Sequence, residues 1–271
     1  MDVAISRRGR RLVWAFFALL VAFLYAPIAI LVIFSFNDNS IPVFPLSGFT
    51  LDWYDQALGN AALIDSLRTS AIVAVASGVL SVALGVLASL ALARRRFRGR
   101  GVASALFLSP LVIPYIVLGI ALLVLFRFFE VEMSSATVVA GHTVLALPFV
   151  VLIVLPRLER LPADLGDAAR DLGAGPLATF RYITFPLLAP ATVSAFLIAA
   201  TISFDEYAVA SFLVGDHQTF PVYLFGQLRF PRQLPQVISI AVLVMVVSLL
   251  VVLAAEVGRR MAERSADIRS R

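Results

Sequence analysis

Residues 157–186 read RLERLPADLGDAARDLGAGPLATFRYITFP, a polar stretch set between two long apolar runs at 133–156 and 187–213. Within it, 161–173 has the marks of a short amphipathic helix. Pro162 suits a first turn, Asp164 and Asp167 sit towards the N-terminal end, and Gly173 supplies a stop. Gly175-Pro176 then breaks the chain, and a second short segment, 177–185, precedes Pro186. A helix held between two runs of this length is either a handle for a soluble partner or an interfacial helix lying on lipid headgroups. The chemistry of the loop alone leaves both open.

Working outward, six segments are long and apolar enough to cross a hydrocarbon core, which takes roughly 20 residues each: 12–36, 69–93, 101–126, 133–156, 187–213 and 233–255. The composition agrees. Of 271 residues 61% are hydrophobic and only 14% charged, against about a quarter charged in a soluble domain. The basic start of the first segment resembles a secretory signal, but its apolar run is longer than the roughly 7–15 residues of a signal core; we read it as a retained helix. No internal repeat or flexible linker interrupts the rest, so a single membrane domain, 1–271, is expected.

Several chemistries are excluded at once. The chain has no cysteine, which removes disulfides, thiolate metal sites and thiol catalysis. Its two histidines, His142 and His217, are too few for a His-rich metal site. All 22 basic residues are arginine, so the lysine that a phosphate-binding Walker loop needs is missing. Too few acidic and imidazole groups converge within the spans for a membrane-embedded enzyme.

The arginines sort by loop. Arg7, Arg8, Arg10 and Arg11 precede the first span; Arg94, Arg95, Arg96, Arg98 and Arg100 follow the second; Arg157, Arg160, Arg170 and Arg181 follow the fourth; Arg259, Arg260, Arg264, Arg269 and Arg271 end the chain. Only Arg68, Arg127, Arg229 and Arg232 fall on the other side. The excess of positive charge marks the cytoplasmic side, so both termini and the 157–186 loop are expected there. Arginines distributed this way anchor topology; they do not form a nucleic-acid surface.

The spans carry local signals. Ser77, Ser81, Gly85, Ser89 and Ala93 recur every fourth residue, a small-residue stripe that lets another helix approach closely. Pro27, Pro110, Pro114 and Pro148 are expected to kink or interrupt their spans. His142 reads as an interhelical hydrogen-bonding residue. Ser203-Phe204-Asp205-Glu206-Tyr207 puts two adjacent carboxylates in an otherwise apolar segment. Such groups cost about 2.5–3.5 kcal/mol on insertion scales and usually face protein or a water-filled path. Three readings stand side by side. The acids meet a cationic solute, with Phe204 and Tyr207 as cation–π faces; or Ser203 is an N-cap with Glu206 reaching back; or the acids pair with Arg68 or Arg127.

At Asp167-Ala168-Ala169, three residues, Gly173, nine residues, Ile183-Thr184-Phe185-Pro186, the loop resembles the EAA motif of ABC importer permeases, with Asp167 in place of Glu and Phe185 in place of Leu. The resemblance extends across the chain: Phe36-Asn37-Asp38, Gly48-Phe49-Thr50-Leu51-Asp52-Trp53-Tyr54, Arg94-Arg95-Arg96-Phe97-Arg98-Gly99, Asp171-Leu172-Gly173-Ala174 and Ser203-Phe204-Asp205-Glu206-Tyr207 are similar to the second permease of spermidine/putrescine importers.

The resemblance implies an all-α fold of six transmembrane helices, the type I importer transmembrane domain, with both termini cytoplasmic. It implies a permease subunit in a bacterial inner membrane that is not itself an enzyme. Asp167, Ala168, Ala169, Asp171, Gly173, Ile183 and Pro186 would form the coupling element that docks on a separate ATPase dimer. ATP and magnesium would be held there and not in this chain. A second, related permease and a periplasmic solute-binding protein complete the implied assembly. Ser203, Phe204, Asp205, Glu206 and Tyr207 are the candidate solute path, with a polyamine as the favoured cargo. Relatives of this class carry iron, thiamine, phosphonates or opines. A gradient-driven secondary transporter is the remaining alternative, although it would need no such loop and often shows inverted repeats.

Overall fold

The computed structural model describes residues 7–94, 97–162 and 164–269. Arg95, Arg96, Ala163 and Arg271, together with the side chains of Arg7, Arg94, Arg259, Arg260, Arg264 and Arg269, lie outside it. Among the described residues every extended element is helical: α1 Arg7–Ser35, α2 Asp52–Gly59, α3 Ala61–Arg94, α4 Arg100–Leu108, α5 Tyr115–Phe128, α6 Ser135–Glu159, α7 Asp164–Asp171, α8 Pro176–Thr179, α9 Phe185–Asp205, α10 Ala210–Leu213, α11 Phe220–Gln227 and α12 Leu234–Arg269. Five stretches among the described residues are long and apolar enough to cross a membrane, and α4 with α5 makes a sixth if the bent pair counts as one span.

Two expected spans are built differently from the sequence reading. The third, expected over 101–126 with a kink or interruption at Pro110 and Pro114, is two helices meeting at 104°. Pro110 lies in a 3₁₀ turn, Ser109–Leu111, and Pro114 is the N-cap of α5. Proline lacks the N–H that would carry the helix through and disfavours helical geometry in the residue before it. Pro27 and Pro148, by contrast, stay inside unbroken helices α1 and α6.

The fifth, expected over 187–213, starts earlier and stops sooner: one helical stretch runs from Pro176 to Asp205. Pro186 does not end a loop segment there. A π turn, Phe180–Thr184, runs directly into α9, with the Phe185 N–H donating to Phe180 O. That wide turn accommodates the proline, whose ring would crowd the carbonyl four residues earlier in a regular helix. The polar connection between α6 and α8 therefore shrinks from the expected 157–186 to residues 160–175.

The chain divides into two compact units. In the first, residues 1–61 and 226–271, α12 packs on α1 and α2. Buried Ser239 donates to Ser35 O at 3.2 Å, and Trp53 Nε1 donates to Asn37 O at 2.8 Å. An open polar depression of about 500 Å³ beside α2 is lined by Asp38, Asn39, Thr50, Asp52 and Trp53.

The second unit, residues 62–225, holds a continuous core on α3, α6 and α9: Val86, Ala146, Val150, Val154, Leu158, Leu188, Ala195 and Ala199. The small-residue stripe of α3 sits inside it. Ser77, Ser81 and Ser89 are wholly buried, and a Cβ on Gly85 would come within 2.5 Å of Val150 Cγ1. Close helix approach is what that stripe provides. Arg100, at the start of α4, pairs with Glu159, at the end of α6, at 2.6 Å. The two arginine-rich connections thus end on the same face, as the charge count required.

Candidate functional site

α9 ends at Asp205, and Glu206 is extended, with φ −77° and ψ 121°. A helix that stops within an apolar region leaves N–H and C=O groups that must find partners in the protein. Glu206 meets this need on the C-terminal side. The Val209 N–H donates to its two carboxylate oxygens at 2.9 and 3.0 Å, and the Ala210 N–H donates to Oε2 at 3.0 Å. Glu206 therefore caps the short helix α10.

Behind this cap lies a chain of buried polar groups drawn from three helices. Nε2 of His142, on α6, stands 3.2 Å from Oε2 of Glu206, a close charge contact short of hydrogen-bond alignment, and has no other polar partner. Nδ1 of the same ring is 2.7 Å from Ser203 Oγ, and Ser203 Oγ is 2.8 Å from Ser77 Oγ on α3. With a carboxylate facing Nε2, a neutral ring carries its proton there. Nδ1 then accepts from the Ser203 hydroxyl, which in turn accepts from Ser77. His142, Ser203, Glu206 and Ser77 are 1%, 3%, 6% and 0% exposed.

The far end of α10 is held to α6 as well. Leu213 O accepts from Thr137 at 2.8 Å, and Val209, Ala210 and Leu213 are buried against Val73, Leu118, Val138 and Leu145. His142 is thus the interhelical hydrogen-bonding residue expected. Ser203 is not an N-cap: it lies within α9, and Glu206 caps the helix that follows instead of reaching back.

The two carboxylates part company. Glu206 points inward, whereas Asp205 is exposed and forms no ion pair with Arg68, Arg127 or any other cation among the described residues. Tyr207 is partly exposed and stacks on Phe225, with ring centroids 4.1 Å apart and planes at 21°. Phe204 is half-buried, its ring 6.5 Å from that of Phe220. The exposed groups at the break are therefore a free carboxylate and a stacked aromatic pair. Asp205 also sits at the C-terminal end of α9, where the helix carries partial negative charge. Phe225 was missed by sequence reasoning because it belongs to α11, and nothing in its local pattern distinguishes it from packing.

At the opposite end of this unit, α7 carries the motif residues. Asp167 pairs with Arg170 one turn along. Ala169 is buried, while Asp167, Ala168 and Asp171 face solvent. Gly173 closes the helix at φ +82°, its N–H bonded to Arg170 O at 2.9 Å and the Ala174 N–H to Ala169 O at 2.9 Å. This is the left-handed glycine stop of a helix C-terminus. Leu172 and Leu177 are 89% and 79% exposed beside it. Pro162 precedes α7 instead of lying in its first turn. Ile183 is half-buried in the π turn, and Pro186 is exposed on α9. Among the described residues no group of acidic or imidazole side chains is arranged to hold a metal ion.

Residues 81–263 match the protein family described as "Binding-protein-dependent transport system inner membrane component". The chain is 32% identical over 253 residues to the spermidine/putrescine transport system permease protein PotC of Escherichia coli (strain K12), covering 93% of this chain and 95% of that one. It is 33% identical over 248 residues to PotC of Haemophilus influenzae, covering 91% and 96%. It is 32% identical over 242 residues to the putrescine transport system permease protein PotI of Escherichia coli (strain K12), covering 86% and 85%. Among solved structures, a bacterial ABC transporter involved in the import of the acidic polysaccharide alginate superposes with a TM-score of 0.73 at 19% identity, over 93% of this chain and 97% of that one.

Proposed function

The chain belongs to the binding-protein-dependent transport system inner membrane components, as an ABC importer permease of the spermidine/putrescine-related group, and on that premise we propose that it forms half of a path for a polyamine-type cation. It is a multi-pass bacterial inner-membrane subunit and not itself catalytic; ATP hydrolysis is expected on a separate ABC ATPase.

One observation carries the cargo assignment: at the break in the fifth span the exposed carboxylate of Asp205 lies two residues before Tyr207, whose ring stacks on Phe225. A polyamine loses hydration on entering an apolar passage. A carboxylate, the negative pole of α9 and two aromatic faces compensate that loss for ammonium groups and repel anions. The names of the relatives, which include putrescine and spermidine systems, point the same way. The fold alone says nothing about cargo, since its match includes an alginate importer; iron, thiamine, phosphonate and opine remain the alternative solutes.

We further propose that both termini and α7 are cytoplasmic, that the whole chain acts as one permease domain, and that it pairs with a related permease. A periplasmic binding protein would deliver the solute on the opposite side. Asp167, Ala168, Ala169, Asp171, Gly173, Ile183 and Pro186 form the element gripped by the ATPase dimer. Of these, Ala168 and Asp171 offer an open docking face, and Leu172 and Leu177 add apolar area to it. Closure of the ATPase dimer on ATP would then drive α9, continuous with this element from Pro176, between inward-open and outward-open positions.

The test is reconstitution of the full importer in liposomes, with radiolabelled putrescine presented on its binding protein. ATP-dependent accumulation that Asp205→Asn reduces supports the reading. Accumulation of another solute class, with none of putrescine, replaces the cargo; accumulation without ATP overturns the importer mechanism.

A further inference from the structure

Asp205 and Tyr207 face outward while the residue between them is sealed, and the backbone explains the alternation. Glu206 is extended, and around an extended residue successive side chains point to opposite sides. Whatever fixes Glu206 inward therefore fixes its two neighbours outward. Five polar contacts do so. The Glu206 carboxylate takes three hydrogen bonds from the Val209 and Ala210 N–H groups, His142 Nε2 lies 3.2 Å from Oε2, and the His142 ring is held from behind by Ser203 at 2.7 Å.

From this arrangement we infer that His142 and Glu206 are positioning residues for the solute path: their buried contact pins the turn between α9 and α10 to α6 and thereby sets where Asp205 and Tyr207 stand. The inference rests on the solute-facing reading of Asp205 and Tyr207. Thr137, bonded to Leu213 O, ties the other end of α10 to the same helix. The segment from Glu206 to Leu213 is thus carried by α6 as one piece, and the break in the fifth span is a fixed joint instead of a hinge. A carboxylate in such surroundings is costly without partners. The two N–H groups bond it and His142 stands against it at 3.2 Å, so the cost becomes a constraint on geometry.

The chain contains no cysteine, so an introduced thiol is its sole one. In the complete importer, Tyr207→Cys is labelled with a trimethylammonium-ethyl methanethiosulfonate, and Gln56→Cys in the other unit serves as the control. Adding His142→Leu or Glu206→Leu is expected to change the labelling rate at position 207 by about tenfold, the scale set by losing one charge-assisted hydrogen bond, with the control unmoved. Glu206→Gln keeps an oxygen for the Val209 and Ala210 N–H groups, so its change should be smaller. Glu206→Leu is scored only when gel filtration shows an assembled complex; His142→Leu and Glu206→Gln decide the matter otherwise. Unchanged labelling at position 207 in both of those backgrounds overturns the positioning role. Protection of Tyr207→Cys by putrescine, measured separately in the parent chain, reports on the solute assignment: absence of protection overturns that assignment and leaves the labelling result to judge the positioning.

Discussion

Nε2 of His142 stands 3.2 Å from Oε2 of Glu206, with both residues sealed from solvent. Removing one member of such a buried pair strands the other. His142→Leu is expected to lower stability by about 3 kcal/mol, read as a fall in the thermal midpoint of the detergent-solubilised complex. The double variant His142→Leu with Glu206→Gln should lose less than the two single losses added together, because the surviving partner is then neutral. Additive losses would show that the pair does not interact.

The tightest helix contact should fail sterically, and in a way that can be repaired. A Cβ at Gly85 would meet Val150 Cγ1 at 2.5 Å and Val150 Cβ at 2.8 Å. Valine is stiff about its first torsion and cannot swing away. Gly85→Ala is therefore expected to cost roughly 1–3 kcal/mol, and Val150→Ala in the same chain should restore part of the loss, since it removes the Cγ1 contact and leaves the Cβ at 2.8 Å. Thermal melting of the single and double variants checks this.

Gly173→Asp combines a backbone penalty with an added charge beside α7. At φ +82° a side chain costs about 1–2 kcal/mol, enough to reshape the turn without unfolding the spans. We expect normal membrane levels and a loss of ATP-driven uptake, with ATPase recovery in a pull-down as the direct readout. Full uptake and full ATPase recovery would remove the coupling role.

Asp205→Asn should raise the concentration of cationic solute needed for half-maximal uptake while leaving ATPase recovery in the complex unaltered. Asp205 is exposed and unpaired among the described residues, so the protein loses no internal contact by the change. An unchanged half-saturation point across a full concentration range contradicts the solute role.

Orientation can be read with single thiols. Arg98→Cys and Leu172→Cys, both at exposed positions, should react with a membrane-impermeant maleimide only when the cytoplasmic side is open. Asp52→Cys should react from the periplasm. Labelling of Leu172→Cys in intact cells would reverse the assignment of sides.

Much of this architecture was legible because the membrane simplifies the reading. Apolar runs located five long helices and the bent pair α4–α5, and the arginine count put the Arg100 and Glu159 ends on a common face, where the two side chains meet. Gly173 announced the end of α7, and the four-residue stripe on α3 announced close packing. What escaped was set by contacts distant in sequence. Nothing near Glu206 tells that His142 will meet it, so two adjacent acids looked like a pair when one is a structural cap and the other is free. Phe225 gained meaning only by stacking on Tyr207. Prolines were read unevenly: Pro110 and Pro114 interrupt their span as expected, whereas Pro27 and Pro148 stay inside continuous helices and Pro186 sits within a helix that it was expected to precede.

The wide turn at Phe180–Thr184 carries a further consequence. Each residue in a regular helix advances the side-chain direction by roughly 100°, so a turn holding a surplus residue acts as an angular offset between the two ends of one rod. The cytoplasmic end of that rod begins at Pro176 and the opposite end carries Ser203 and Asp205. Excising a single residue from the turn would leave the rod intact but rotate one end against the other, swinging Ser203 away from His142 while the end at Pro176 kept its place. Rotational phase, as much as length, is what this turn sets along the helix.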